Sequence, residues 1–290
     1  LKQLGFSERT ERAWENTIAK PEGLVLISGP TSSGKTSTLY ATLQAINSIE
    51  RNIITVEDPV EYSLPLIVQI QINEKAGLTF PSTLRAILRQ NPDVIMIGEI
   101  RDRETAQMAV RSALTGHLVF STIHTNDAPS AIDRLIDMGL ENYLVASALK
   151  GVLAQRLVRV NCPECRELYR PPDPALQRGG LLELADVFEF QRGTGCPQCR
   201  MTGFKGRTGV YEFVEITPHL AELIMRNSSQ HTIKEEARKG GYVPLFEMGL
   251  EKLRLGMVSL EELLKETCNI EEFGEYGQRT PVTFTHASAI

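Results

Sequence analysis

No stretch of this sequence approaches the roughly 18 consecutive apolar residues that a membrane-spanning helix needs, so an integral membrane protein is not expected. Basic residues are not in excess either. There are 31 Lys/Arg against 36 Asp/Glu, and the net charge of −5 argues against a general nucleic-acid binder. The opening LKQLGFSERT has neither an initiator Met nor a signal-peptide pattern, which predicts a cytoplasmic fragment preceded by a further N-terminal domain. Cysteine is scarce, and its arrangement is telling: four of the five fall in two C-x-x-C pairs. In a cytosolic chain that pattern points to a metal site rather than to disulfides. The 290 residues, 42% apolar and 23% charged, suffice for a large soluble core and for two units.

Short apolar runs alternate with helix-competent segments through the first half of the chain. LVLIS (24–28) ends at Gly29 and leads through a Gly/Ser/Thr loop into TSTLYATLQAIN, the order strand, loop, helix. RNIITVEDP supplies a second strand, and the strictly alternating VQIQI (68–72) reads as a half-buried third, with NEKAG as its turn. STLRAILRQ is helical. VIMI (94–97) is apolar throughout, as a parallel strand covered on both faces should be. RDRETAQMAVRSALTG reads as a helix closed by Gly116, HLVFSTI as a strand, and SAIDRLIDMG as a helix. The repetition predicts an α/β fold with a parallel sheet and helices on both faces. Near residue 160 the texture turns rich in Pro, Gly and Cys. From Pro218 to about Thr267 it is helical again, and 269–290 has too little periodicity to assign.

GPTSSGKT fits G-x-x-x-x-G-K-[ST] and lies between a predicted strand and a predicted helix, the context that motif requires. Gly29 and Gly34 let the backbone around Pro30, Thr31, Ser32 and Ser33 wrap phosphates with its amides. Lys35 reaches the β/γ-phosphates, the Thr36 hydroxyl ligates magnesium, and Ser37 follows in the same nucleotide-binding segment. Ligands of such sheets bind at the carboxyl ends of the strands. Asp93 begins its strand and Glu99 follows its end, about 20 Å away at roughly 3.3 Å per residue. Glu99 is therefore the candidate to activate water, and Asp93 a turn acid. Glu57 is the candidate second acid near magnesium or water; Asp58 and Glu61 read equally as a solvated turn. By the same distance argument His124 is near the nucleotide, and His117 has a structural or subunit-contact role.

Arg85 and Arg89, four apart on one helix face, line a phosphate-facing surface, an inter-subunit surface or an exposed basic face. Arg101 and Arg103 could fix the loop beside Glu99 through ion pairs. Cys162, Cys165, Cys196 and Cys199 could together hold one Zn²⁺. The 30-residue gap between the pairs is long for a zinc ribbon, and free thiols or a redox pair are the alternative. Four Cys ligands leave no open position, so such a site is structural. Cys268 reads as a core residue. Residues 150–210 carry ten Lys/Arg against six Asp/Glu, a local +4 that leaves −9 elsewhere; it is either a basic surface or a solvated face.

Taken together, GPTSSGKT, TVEDPVEY, TLRAILRQNPDVIMIGEIRD, LTGHLVFSTIHTNDA and the two Cys pairs resemble the traffic ATPases of bacterial type II secretion and type IV pilus assembly, in their tetracysteine branch. The resemblance spans about residues 1–268. It implies a RecA-like P-loop NTPase core with a parallel sheet over 1–160, an inserted zinc-binding tetracysteine subdomain over 161–210 and a C-terminal helical region over 211–268. It implies ATP hydrolysis with ATP/ADP, Mg²⁺ and Zn²⁺, a catalytic Glu99 normally preceded by glycine, and Glu57 and His124 in the nucleotide site. Arg85 and Arg89 fall in the phosphate or subunit-interface region. It further implies a homo-hexameric ring at the cytoplasmic face of the inner membrane, working on platform and assembly proteins, with an acidic membrane surface as a further candidate partner. The family's preceding domain, which lends arginines to the nucleotide, is not in this sequence. The competing expectation, a nucleic-acid-linked P-loop ATPase with a zinc module, would show salt-dependent DNA binding.

Overall fold

The computed structural model describes residues 4–185 and 188–268; the unassigned 269–290 segment lies outside them. Ser7 caps helix α1 (Glu8–Ile18) by accepting from the Thr10 amide. Strand β1 (Gly23–Ser28) then leads into helix α2 (Lys35–Ile46), and β2 (Ile53–Glu57) and β3 (Val68–Gln71) follow. Helix α3 (Phe80–Ile87) starts at a Thr79/Ser82 capping box and runs into a 3-10 turn, Leu88–Gln90. Next come β4 (Val94–Ile97), α4 (Arg103–Leu114, capped by Asp102), β5 (Leu118–Ile123), α5 (Ser130–Asp137) and α6 (Asn142–Ala148).

Two elements depart from the sequence reading. A 13-residue strand, β6 (Leu149–Asn161), and a 12-residue strand, β9 (Phe204–Glu215), bracket the cysteine region. Between them lie β7 (Arg166–Leu168), α7 (Asp173–Arg178) and β8 (Gln191–Gly193). After them come α8 (Pro218–Met225), α9 (Gln230–Lys239), α10 (Leu245–Arg254) and α11 (Leu260–Thr267).

The main sheet has seven strands in the order β3-β2-β4-β5-β1-β6-β9, and the pairs β3/β2, β2/β4, β4/β5, β5/β1 and β1/β6 are parallel. β1, β2, β4 and β5 are buried along their whole length, as the continuous apolar runs require. Alternate side chains serve opposite faces. Leu24, Leu26, Ile95 and Ile97 pack with residues of α3–α6, α8 and α9, while Val25, Ile27, Met96 and Phe120 pack with Trp14 of α1 and Leu39 and Leu43 of α2. Trp14 is fully buried and donates its indole N–H to Thr42 Oγ1 at 3.1 Å, so its polar edge is satisfied.

The chain divides into two compact units, and these cut across the linear segments. One comprises residues up to Arg156 together with Gly209–Leu245; the other comprises Leu157–Thr208 together with the chain from Phe246. The tetracysteine segment thus shares its unit with α10 and α11, whereas α8 and α9 belong with the large sheet.

Candidate functional site: the phosphate loop and the tetracysteine cluster

The loop after β1 is shaped by glycine. Gly29 has φ +151°, and a Cβ there would lie 2.5 Å from Ser33 Oγ and 2.6 Å from the Gln155 carbonyl. Gly34 adopts φ +89° where α2 begins, so the loop's amides precede a helix N-terminus, a ready anion site. Pro30, Thr31, Ser32, Thr36 and Ser37 are exposed, and Ser33 is buried. Ser33 Oγ has no hydrogen-bond partner, an orphan in keeping with a loop built for a polar ligand. Lys35 Nζ donates to the carbonyls of Gly29 (2.8 Å) and Pro30 (2.9 Å). Burial takes its pKa down to about 8; the Glu99 carboxylate opposes that shift and the Arg156 charge adds to it. These groups suit a triphosphate: an amide-lined loop, a cation within it, and the hydroxyl of Thr36 open to hold magnesium.

Strand register brings the remaining groups alongside. Ser28 at the end of β1 pairs with Ile123 of β5 on one side and Ala154 of β6 on the other. β5 in turn separates β1 from β4, whose end carries Gly98 and Glu99. Glu99 is mostly buried, ion-paired with Arg101, and 3.6 Å from His124 Nε2. Burial first, and the Lys35 charge second, hold His124 below the ordinary imidazole range against the pull of Glu99, so its ring is neutral at pH 7. Lys35, Glu99 and His124 therefore share one electrostatic site at the carboxyl edge of the sheet.

Glu57 stands at the same edge of the sheet, its Cα 3.5 Å from where a Cβ on Gly98 would lie, while Arg85 and Arg89 belong to α3 and the 3-10 turn after it. Glu57 is buried at the end of β2. Its oxygens accept from the Tyr40 hydroxyl, from Thr55 Oγ1 (2.5 Å) and from Gln69 Nε2 (3.0 Å). Arg85 and Arg89 are exposed, Arg85 in an ion pair with Glu104. The residue after Arg89, Gln90, is tied by its carbonyl to Asn52 ahead of β2. That sets Arg89 toward the amino edge of the sheet, whereas Arg85 reaches Glu104 in the first turn of α4, just after Glu99. Asp93 is a turn acid whose Oδ2 accepts from the Asn52 amide at 2.7 Å. His117 Nδ1 lies 2.9 Å from the Ser112 carbonyl in α4.

Sequence patterning gave no role to Gln155, Arg156 or Glu212. Gln155 donates its side-chain amide to the Ser33 carbonyl at 2.8 Å, and Arg156 is buried beside it. Glu212 is also buried; it accepts from the amides of Ala128 (2.6 Å) and Leu245 (2.7 Å) and from the Tyr242 hydroxyl (3.1 Å). The missed signal was the strand pattern itself, the apolar VLAQRLVRV after Gly151 and the GVYEFVE run.

In the smaller unit, the four cysteine sulfurs lie within 4.8 Å of one another. Cys162–Cys196 and Cys165–Cys199 are 3.9 Å apart and Cys196–Cys199 3.8 Å; none of the cysteines forms a disulfide. A tetrahedral Zn²⁺ with bonds of about 2.3 Å spaces its sulfurs about 3.8 Å apart, so the cluster fits. Amides of Gly195 (3.3 Å), Cys196 (3.2 Å) and Gly203 (3.2 Å) donate to the sulfurs of Cys165 and Cys199, and such hydrogen bonds favour the thiolate form. Burial raises the Cys199 thiol, but the amides of Cys196 and Gly203 together with hydrogen bonds to the neighbouring Cys196 and Cys165 sulfurs take it down to about 6. Gly193 and Gly203 meet backbone to backbone, where a Cβ on Gly193 would fall 1.9 Å from the Gly203 carbonyl oxygen.

Comparison with known proteins fits this arrangement. The family profile described as type II/IV secretion system protein matches residues 1–265. The chain is 49% identical over 267 residues to the type II secretion system protein E of Pseudomonas aeruginosa, covering 92% of this chain and 53% of that protein. It is 44% identical over 269 residues to the type IV pilus assembly ATPase TfpB of Acinetobacter baylyi, covering 91% and 46%. The chain thus spans about half the length of the curated relatives it matches. Among solved structures, the pilus retraction motor PilT with bound ADP superposes with a TM-score of 0.69 at 26% identity, covering 93% of this chain and 67% of that one. No helix among the described residues is long and apolar enough to cross a membrane. By sequence over almost its whole described length, and by fold, the chain belongs to the type II/IV secretion system protein family.

Proposed function

We propose that this chain is the ATP-hydrolysing motor domain of a machine for type II protein secretion or type IV pilus assembly. The observation that carries the reading is the convergence of Lys35, Glu99 and His124 at the carboxyl edge of one parallel sheet. The loop amides and Lys35 hold the phosphates, and Thr36 holds Mg²⁺, which when bound neutralises charge developing on the transferred phosphoryl group. Glu99 orients the attacking water and takes its proton, while the neutral His124 ring donates toward the γ-phosphate. Glu57 serves the site at one remove: its oxygens are already engaged, and Tyr40, which it holds, also accepts from the Glu61 amide at 3.2 Å. Arg85 and Arg89, exposed on their own chain, face a neighbouring subunit of a homo-hexamer. The four cysteines bind a structural Zn²⁺. The motor works in the cytoplasm at the inner membrane, on platform and assembly proteins and against an acidic lipid surface.

Steady-state phosphate release by the intact protein tests the reading. Glu99→Gln is expected to lower turnover about 10²-fold or more while leaving ATP bound. Undiminished turnover in that variant would remove it.

A further inference from the structure

Strand β6 brings a buried cation to the back of the phosphate loop. Arg156 is only 7% exposed. One arm of its guanidinium donates to the Gln155 carbonyl at 3.1 Å and the other to the Asn126 carbonyl at 2.7 Å. Gln155 holds the loop itself: its side chain donates to the Ser33 carbonyl, and its own carbonyl occupies the space that a side chain at Gly29 would need. Asn126 lies two residues after His124, in the turn that leaves β5. Arg156 therefore grips the phosphate loop's support with one arm and the His124 turn with the other.

We propose that Arg156 is a positioning residue for ATP turnover, fixing the His124 turn relative to the phosphate loop through these two main-chain carbonyls. The inference rests on the ATPase reading above. Arginine suits the task because its planar fork presents donors in two directions at a fixed angle, whereas a lysine is a point charge on a flexible stem. The charge has a use as well. A cation in the field of Lys35 is unfavourable by itself and becomes favourable once a polyanion binds the loop. A small displacement of a catalytic group costs turnover before it costs binding, since the phosphates are held chiefly by the loop.

The test is a double-mutant cycle in the intact protein, reading kcat by phosphate release and affinity with a fluorescent ATP analogue. Arg156→Gln is expected to lower kcat about 10-fold while shifting affinity less than about 3-fold. In a His124→Ala background the same change should cost less than about 3-fold, because the turn it positions no longer carries the group. Arg156→Lys keeps the charge and should remain closer to the Gln variant than to wild type; it also replaces the Gln variant in the cycle should circular dichroism find that one unfolded. Additive losses in the cycle, a loss confined to affinity, or full recovery with lysine would each overturn the proposal. Glu99→Gln separates the two failures: if it abolishes turnover while Arg156 substitutions leave kcat unchanged, this inference falls and the ATPase reading stands.

Discussion

Gly98 stands between Ile97 of β4 and Glu99, donating its amide to the Val56 carbonyl at 2.8 Å and accepting from Thr122 Oγ1 at 2.8 Å. A Cβ at this position would lie 3.3 Å from the Val56 carbonyl oxygen and 3.5 Å from Glu57 Cα. A side chain here would have to press slightly against the Val56 carbonyl of β2. A second residue-scale feature is Glu212. Burial and the nearby Asp127 charge raise its pKa to about 8, outweighing the three donors that favour its carboxylate. In the unfolded chain it titrates near 4.5. Between those values the folded state binds more protons, so this contribution is fully present below the lower pKa and lost as pH rises through the upper one. Glu212→Gln should cost about 1–3 kcal/mol by leaving a buried amide unmatched, and it should flatten the fall in stability between pH 6 and 8.5. Denaturant midpoints at those two pH values check this; an unaltered pH slope would place the titration elsewhere.

At the scale of elements, the tetracysteine knuckles and the C-terminal helices form one unit with its own links. Arg159 forms an ion pair with the buried Glu262 of α11, and Tyr169 bonds Glu261 in the same helix. Asn161 is tied to Gly256 and Met257. A core this small would draw on the proposed Zn²⁺ for stability. Cys199→Ser should abolish zinc retention, measured by elemental analysis, and expose residues 157–208 to proteolysis. Zinc content equal to wild type would remove the metal assignment. Loss of zinc should leave ATP-analogue binding intact, because the residues that form the phosphate site all lie in the other unit.

At the scale of the whole molecule, the −5 charge conceals a −9/+4 division along the chain, the positive part being residues 150–210. If that segment served nucleic acid, duplex DNA would be retained at low salt with affinity falling steeply as salt rises. The expected result is no retention in a filter-binding assay even at low salt, as the proposed secretion or pilus motor requires. Salt-dependent retention would favour the nucleic-acid reading over the secretion motor.

Sequence alone determined what depends on local chemistry. A glycine-framed loop between an apolar strand and a helix has few other uses, a period-two or fully apolar run is a strand, and paired C-x-x-C knuckles converge into one four-sulfur cluster. Glu99 and His124 were legible because strand length decides which end of the sheet a residue occupies. Tertiary structure decided what depends on strand order and burial. It placed β5 between β1 and β4, so that His124 stands beside Glu99. It also engaged the Glu57 oxygens with Tyr40, Thr55 and Gln69, and set Arg85 and Arg89 in solvent. Above all it laid β6 parallel to β1, bringing Gln155 and Arg156, separated from Ser33 by more than 120 residues, against the phosphate loop. No local pattern encodes that contact, because the partners of a strand are chosen by the packing of the whole sheet.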